Sequence, residues 1–429
     1  MLMFSKDFWI GAATAAHQVE GNNIHSDCWE LEHMENSSYA EPSGEAVDHY
    51  SHYEEDILLM KNAGLNCYRF SIEWARIEPM EGQFDPNEIE HYRAVVRYCK
   101  VNGIEPIVTL HHFSSPKWLI SKGGWEADST VEDFARYTRY VMEQLGSELN
   151  YVCTINEANM GVQVAAIAKR YMQQMMAKMA SAKTDGTIQV GMNLEKMMAS
   201  RMAAAAAQNM SVFGVENVES FTSPRTEHGD GIVMEAHKAA RAVIRELAPH
   251  IKVGLTLSLH DIQALPGGEK NAVKEWEEEF THYLPAIADD DFLGVQNYTR
   301  SRMDANGTLP VPEGAELTQM DYEFYPEALE NVIRAVHKEF PGELIVTENG
   351  IATADDTRRV EFIRRALTGV RNCINDGIPV KGYCYWSLLD NFEWQKGYSM
   401  TFGLIAVDRS TQTRYPKDSL AYLGSFREV

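Results

Sequence analysis

The sequence predicts an α/β protein, a (β/α)8 TIM barrel forming a single domain with elaborated βα loops. Strand-like and helix-like segments alternate from one end of the 429-residue chain to the other. The strand segments are also nearly continuous apolar runs, as expected of parallel strands covered by helices on their outer face. Strand one is expected over 8–13 and its helix over 47–63. Strand two follows at 66–70, then a helix over 87–102 with apolar residues at helical spacing. Strand three (104–110) and helix 130–145 precede strand four (151–155). After a long interval come helix 230–248, strand five (251–257) and helix 270–288. Strand six (292–296) pairs with helix 326–340, and strand seven (344–347) with helix 355–376. Strand eight (381–386) and a short helix over 418–426 close the chain. A doubly wound open sheet is the alternative. It is weakened because Gly11-Ala-Ala-Thr-Ala-Ala after strand one lacks GxGxxG spacing.

Hydrophobic residues make up 45% of the chain and charged residues 24%, enough apolar content for a large core. The net charge is −23, from 39 basic against 62 acidic residues. That sign argues against nucleic acid or an anionic membrane as partner, since both would be repelled. The N-terminal MLMFSKDFWIGAATA has no basic region followed by a long apolar run, so no signal peptide is expected. No segment approaches the roughly 20 uninterrupted apolar residues that a membrane helix needs. Cysteines 28, 67, 99, 153, 373 and 384 are scattered without a CxxC. They are read as buried free thiols of a cytoplasmic protein. His25, His33, His49 and His52 have no metal spacing, and neither a metal nor a cofactor is expected. The acidic runs 277–279 and 289–291 are read as solvated faces and a helix end.

The rhythm breaks after strand four, where 158–227 forms an elaborated helical insertion far longer than an ordinary βα connection. Residues 160–210 hold ten of the twenty methionines and an Ala run at 203–207, a helix-forming composition. Helices at the barrel mouth are expected. Their methionines either pack helices together, form an adaptable apolar wall for a leaving group, or make a homo-oligomer contact.

In a parallel barrel every strand ends on the same face, so the residues at the strand ends converge. Gln18 and Glu20 follow strand one, Arg69 lies in strand two, and His111-His112 close strand three. Asn156-Glu157 close strand four, Gln296 to Tyr298 close strand six, and Glu348 closes strand seven. Trp386 ends strand eight, with Glu393-Trp394 beyond. Two carboxylates on different strands, ringed by amides, imidazole and tryptophan, suit a sugar. The hydroxyls take the polar partners and the C–H faces stack on the indoles.

Here the sequence resembles the family 1 glycoside hydrolases, the β-glucosidase family, over essentially its full length. The matching motifs are FWIGAATAAHQVEGN (8–22), YRFSIEWARIEP (68–79), TLHHFSSPKW (109–118), TINEANM (154–160), IVTENG (345–350) and YWSLLDNFEW (385–394). FGLIAVD (402–408) and RYPKDS (414–419) add to them. The resemblance implies a (β/α)8 barrel in which Glu348 is the nucleophile and Glu157 the acid/base. It places Gln18, His112, Asn156, Trp386, Glu393 and Trp394 on glycone-binding positions. Tyr298 and Arg69 fall on the residues that support the nucleophile. Three departures stand out: Ala158 for the usual proline, Gln296-Asn297 for the common Asn-Tyr, and Phe113 where tryptophan is frequent.

The chemistry implied is retaining hydrolysis of small β-glucosides or short oligosaccharides, with the carboxyls about 5–5.5 Å apart. Arg69 and Tyr298 are expected to hold Glu348 ionised, and its charge to keep Glu157 protonated. Asn156 is placed for the 2-hydroxyl. A carboxylate at Glu393 would repel a sugar phosphate, which favours an unphosphorylated glucosyl, galactosyl or fucosyl unit. A non-catalytic sugar-binding relative would lack one glutamate, and both are present. An aldolase or metal hydrolase would need a strand-end lysine or a His/Asp cluster, and neither is found. Transglycosylation stays open, because water and an acceptor alcohol compete for the same ester.

Overall fold

A computed structural model describes residues 3–184 and 194–428. Eight parallel strands close a barrel: β1 (Trp9–Ala13), β2 (Cys67–Ser71), β3 (Glu105–His111), β4 (Tyr151–Ile155), β5 (Lys252–Ser258), β6 (Phe292–Gln296), β7 (Glu343–Asn349) and β8 (Val380–Trp386). Each pairs with its sequence neighbours, and β1 closes the ring against β8. The alternation read from the sequence is therefore the architecture. A Cβ on Gly11 would lie 2.1 Å from the Cys67 carbonyl oxygen, so β1 and β2 can approach this closely only at a glycine.

The helices around the barrel begin and end where local chemistry dictates. Asp85 accepts from the Asn87 amide and Pro86 opens helix Pro86–Val101. Thr226 caps helix Glu227–Leu247, and Asp355 caps Asp356–Asn375. Helix His49–Ala63 stops at Gly64, whose φ of 94° is left-handed. Inside the barrel, Cys67, Cys153 and Cys384 pack with Ile107, Phe292 and Ile345 beneath the site. All six cysteines are free and buried.

Two expectations are corrected. The helix expected over 270–288 is broken: Glu269–Glu279 ends at Phe280 and a separate short helix, Leu284–Ile287, follows. Nor are the acidic runs wholly solvated. Glu279 is buried and accepts from His260 Nδ1 at 2.7 Å, and its charge pushes that imidazole up to about 9. The Asp290 carboxylate is fully buried between Arg241 and His237 and accepts from the Leu255 amide. A buried carboxylate persists because these donors replace water.

The insertion carries two helices, Met160–Thr184 and Leu194–Phe213. The part of the expectation that falls on 185–193, Met192 included, lies outside the described residues. Met160 and Val164 line the cavity at the barrel mouth, whereas Met172, Met175 and Met176 are exposed. Among the described side chains of helix Met160–Thr184, the wall of that cavity is thus made near the helix start. Among the described residues, no helix is long and apolar enough to cross a membrane.

Candidate active site

The site is assembled around Arg69, which is fully buried on β2. Its Nη1 donates to Glu348 Oε1 at 2.6 Å and its Nη2 to Asn156 Oδ1 at 2.6 Å. Tyr298 donates its hydroxyl to the other oxygen, Glu348 Oε2, at 2.6 Å. The pairing of β7 with β6 slips between Val346 and Glu348, an irregularity that re-aims the side chain at the strand end. Glu157 turns sharply out of β4 with φ at 43°, a left-handed value that costs a non-glycine residue about 1 kcal/mol. Its amide donates to Thr256 Oγ1 at 2.9 Å, and the Ala158 amide to the Thr256 carbonyl at 3.1 Å, which hold the turn against β5.

Glu157 and Glu348 line one cavity of about 420 Å³, together with His112, Asn156, Tyr298, Trp386, Glu393 and Trp394. Gln18 lies beneath, donating to the Phe392 carbonyl at 2.8 Å and to Glu393 Oε2 at 3.3 Å. The residues given site roles from the sequence therefore converge here, whereas Glu20, also at a strand end, turns away to accept from Arg76 and Tyr92. His112 stacks near Trp386 with centroids 5.7 Å apart, and Trp394 stacks flat on His17 at 5.6 Å. His111, by contrast, is a core histidine bonded to Ser115, and burial lowers it to about 3.

Burial raises Glu348 above the ordinary carboxylate range, while the Arg69 charge and the Tyr298 and Arg69 hydrogen bonds pull it back. Glu157 is pushed up to about 8, first by burial and next by the Glu348 charge. Glu393 is pushed to about 8 by the same two causes in the same order. Burial first and the Glu348 charge second keep Glu157 and Glu393 largely protonated at neutral pH, while Arg69 and Tyr298 favour the ionised form of Glu348. Burial also holds His112 far below its usual value, so it is a neutral donor or acceptor.

The model of Glycosyl hydrolase family 1 matches residues 2–429. The chain belongs to glycosyl hydrolase family 1. Members of this family are glycosyl hydrolases, and the retaining mechanism is general among them. A crystal structure of the beta-glycosidase BGL167 is 44% identical, with a TM-score of 0.87, covering 99% of this chain and 96% of that one. The Beta-glucosidase of Agrobacterium sp. (strain ATCC 21400) is 29% identical, over 97% of this chain and 93% of its own. The 6-phospho-beta-galactosidase of Lacticaseibacillus casei (strain BL23) is 28% identical, over 99% and 98%.

Within the family frame the three departures have visible consequences. Ala158 is fully buried in the turn after Glu157. Asn297 donates to the Leu259 and Thr299 carbonyls and serves the backbone rather than the cavity. Phe113, with φ at 69°, lines the cavity against Trp394. The sequence reading missed Tyr39, Thr222, Ser258, Met320, Tyr322, Lys396 and Phe402, which complete the wall. Apart from Ser258, which ends β5, they lie outside the barrel strands, where periodicity does not single them out, and of the quoted motifs only FGLIAVD reaches one of them, Phe402.

A carboxyl raised in the folded state stabilises fully below its unfolded value, ordinarily 4.5 for Glu157. It loses that contribution as pH rises through about 8. Glu157→Gln is therefore expected to raise Tm at pH 8 by a few degrees while leaving it unchanged near pH 4. Calorimetry at both pH values checks this, and equal shifts at both would contradict a raised Glu157.

Proposed function

We propose that this family 1 enzyme is a retaining β-glycosidase acting on terminal non-reducing β-D-glucosyl residues, with β-galactosyl and β-fucosyl units as further substrates. Glu348 attacks the anomeric carbon while Glu157 gives its proton to the departing glycosidic oxygen. The leaving alcohol departs and a glycosyl ester on Glu348 remains. Glu157, now ionised, takes a proton from water, which attacks the same carbon and releases Glu348. The carrying observation is the unequal treatment of two carboxyls in one cavity. Glu348 has a guanidinium and a phenol on its two oxygens, whereas Glu157 is held protonated up to about 8.

Gln18 and Glu393 take the hydroxyls farthest from the anomeric carbon, with Trp386 and Trp394 along the sugar face. Asn156 faces the 2-hydroxyl. Six free, buried thiols support a reducing compartment, the cytoplasm.

The choice between a free and a phosphorylated sugar rests on the surroundings of Glu393. Because that carboxyl is largely protonated at neutral pH, the penalty on a 6-phosphate is chiefly that of burying a dianion without a cation beside it. Among the described residues lining the cavity, Lys396 is the one lysine and there is no arginine, and Lys396 is exposed. A phosphate dianion at the sugar's 6-position would therefore lie beside Glu393 with one exposed lysine and no arginine of the wall to offset its charge. The kinship to a 6-phospho-beta-galactosidase makes this the deciding comparison. At pH 7 the enzyme is expected to cleave p-nitrophenyl β-glucoside with kcat/KM at least about tenfold above that for its 6-phosphate, a difference of about 1.4 kcal/mol. Preference for the phosphate would overturn the substrate assignment.

A further inference from the structure

The amide of Asn156 is held chiefly by its oxygen. Oδ1 accepts from Arg69 Nη2 at 2.6 Å, Gln296 Nε2 at 2.8 Å and Thr256 Oγ1 at 3.3 Å. Nδ2 lies 3.1 Å from His112 Nε2, at the cavity wall. A terminal amide torsion is broad and the two ends of the amide are nearly alike in size, so its surroundings decide which end faces the sugar.

Two of the three donors are shared. Arg69 also binds Glu348, and Thr256 also accepts from the Glu157 amide. The Gln296 side chain binds Asn156 and neither glutamate. It is fully buried at the end of β6, and among the described residues its Oε1 has no hydrogen-bond partner. Gln296 is also one of the departures from the family pattern, a longer amide where asparagine is common.

We propose that Gln296 is a positioning residue that turns the Asn156 amide so that its N–H group, rather than its oxygen, meets the sugar 2-hydroxyl. This rests on the glucosidase reading above. The 2-hydroxyl contact strengthens as positive charge develops at the anomeric carbon, so a misdirected amide lowers kcat more than it raises KM. A substrate without the 2-hydroxyl is indifferent to the amide's direction.

The test compares p-nitrophenyl β-glucoside with its 2-deoxy analogue in the wild type, Gln296→Met, Gln296→Asn, Asn156→Ala and the Gln296→Met/Asn156→Ala double variant. Gln296→Met keeps length and removes the donor, and is expected to lower kcat on the glucoside about tenfold to a hundredfold with KM within about threefold. On the 2-deoxy substrate its kcat/KM is expected to stay within about threefold, and the double variant to be no worse than Asn156→Ala alone. Gln296→Asn, which keeps an amide one methylene short, is expected to show a smaller loss confined to the glucoside, and it carries the test if the Met variant does not fold. Equal losses on both substrates, or multiplying losses in the double variant, would overturn the positioning role. A wild type inert towards both substrates would overturn the glucosidase reading itself.

Discussion

Glu348→Gly is expected to lower hydrolysis of p-nitrophenyl β-glucoside by a factor on the order of 10⁴ to 10⁶, the scale seen when a catalytic nucleophile is removed. The loss has a structural counterpart, because the deletion strands the Arg69 guanidinium and the Tyr298 hydroxyl that both hold Glu348 at 2.6 Å. It also opens a space beside the anomeric carbon that a small anion can fill. Azide entering from that side attacks opposite the leaving group, so the product expected with an activated glucoside is the α-glucosyl azide. Product analysis decides the matter. Unchanged hydrolysis, or a β-configured azide, would remove Glu348 from the nucleophile role.

Glu157→Ala is expected to act according to the leaving group. A poor leaving group needs its oxygen protonated, so kcat/KM for an alkyl β-glucoside should fall about 10²- to 10⁴-fold, the usual worth of general acid catalysis. For 2,4-dinitrophenyl β-glucoside, whose phenolate leaves unaided, kcat/KM should change by less than about tenfold. Its kcat still falls, because water attacking the ester has lost its base, and azide should restore it with the β-glucosyl azide as product. The pH profile gives a second readout. With an alkyl β-glucoside the wild type is expected to need Glu157 protonated, so its kcat/KM should decline as pH rises through about 8. That limb should vanish in Glu157→Ala with the activated substrate. Glu393 titrates in the same range, so a limb that survives the substitution belongs to Glu393.

Much of this molecule is legible in its sequence, for reasons that differ by element. The eight strands are found within a few residues because their apolar runs and the helices between them are local, periodic signals. The ring of site residues is legible because a parallel barrel brings all strand ends to one face, so Glu157 and Glu348 line one cavity although nearly half of the chain separates them. The helix expected over 270–288 fails for a local reason as well. The chain breaks at Phe280, where Glu279 turns inward to His260, and charge runs carry no mark of which member is buried. Asp290 escapes notice in the same way: its donors, Arg241, His237 and the Leu255 amide, come from other elements.

The sequence by itself determines the order of strands and helices, the family and the identities of the groups at the barrel mouth, since all of these reside in short stretches of neighbouring residues. Tertiary structure alone decides which carboxyl keeps its proton. Burial raises all three, Arg69 and Tyr298 pull Glu348 back, and the Glu348 charge raises Glu157 and Glu393 further. It also decides that Gln296 reaches Asn156 and that Thr222 and Tyr322 wall the cavity. Proton affinity and side-chain direction depend on what stands within a few ångströms, and in a closed barrel those neighbours are drawn from strands and loops far apart along the chain.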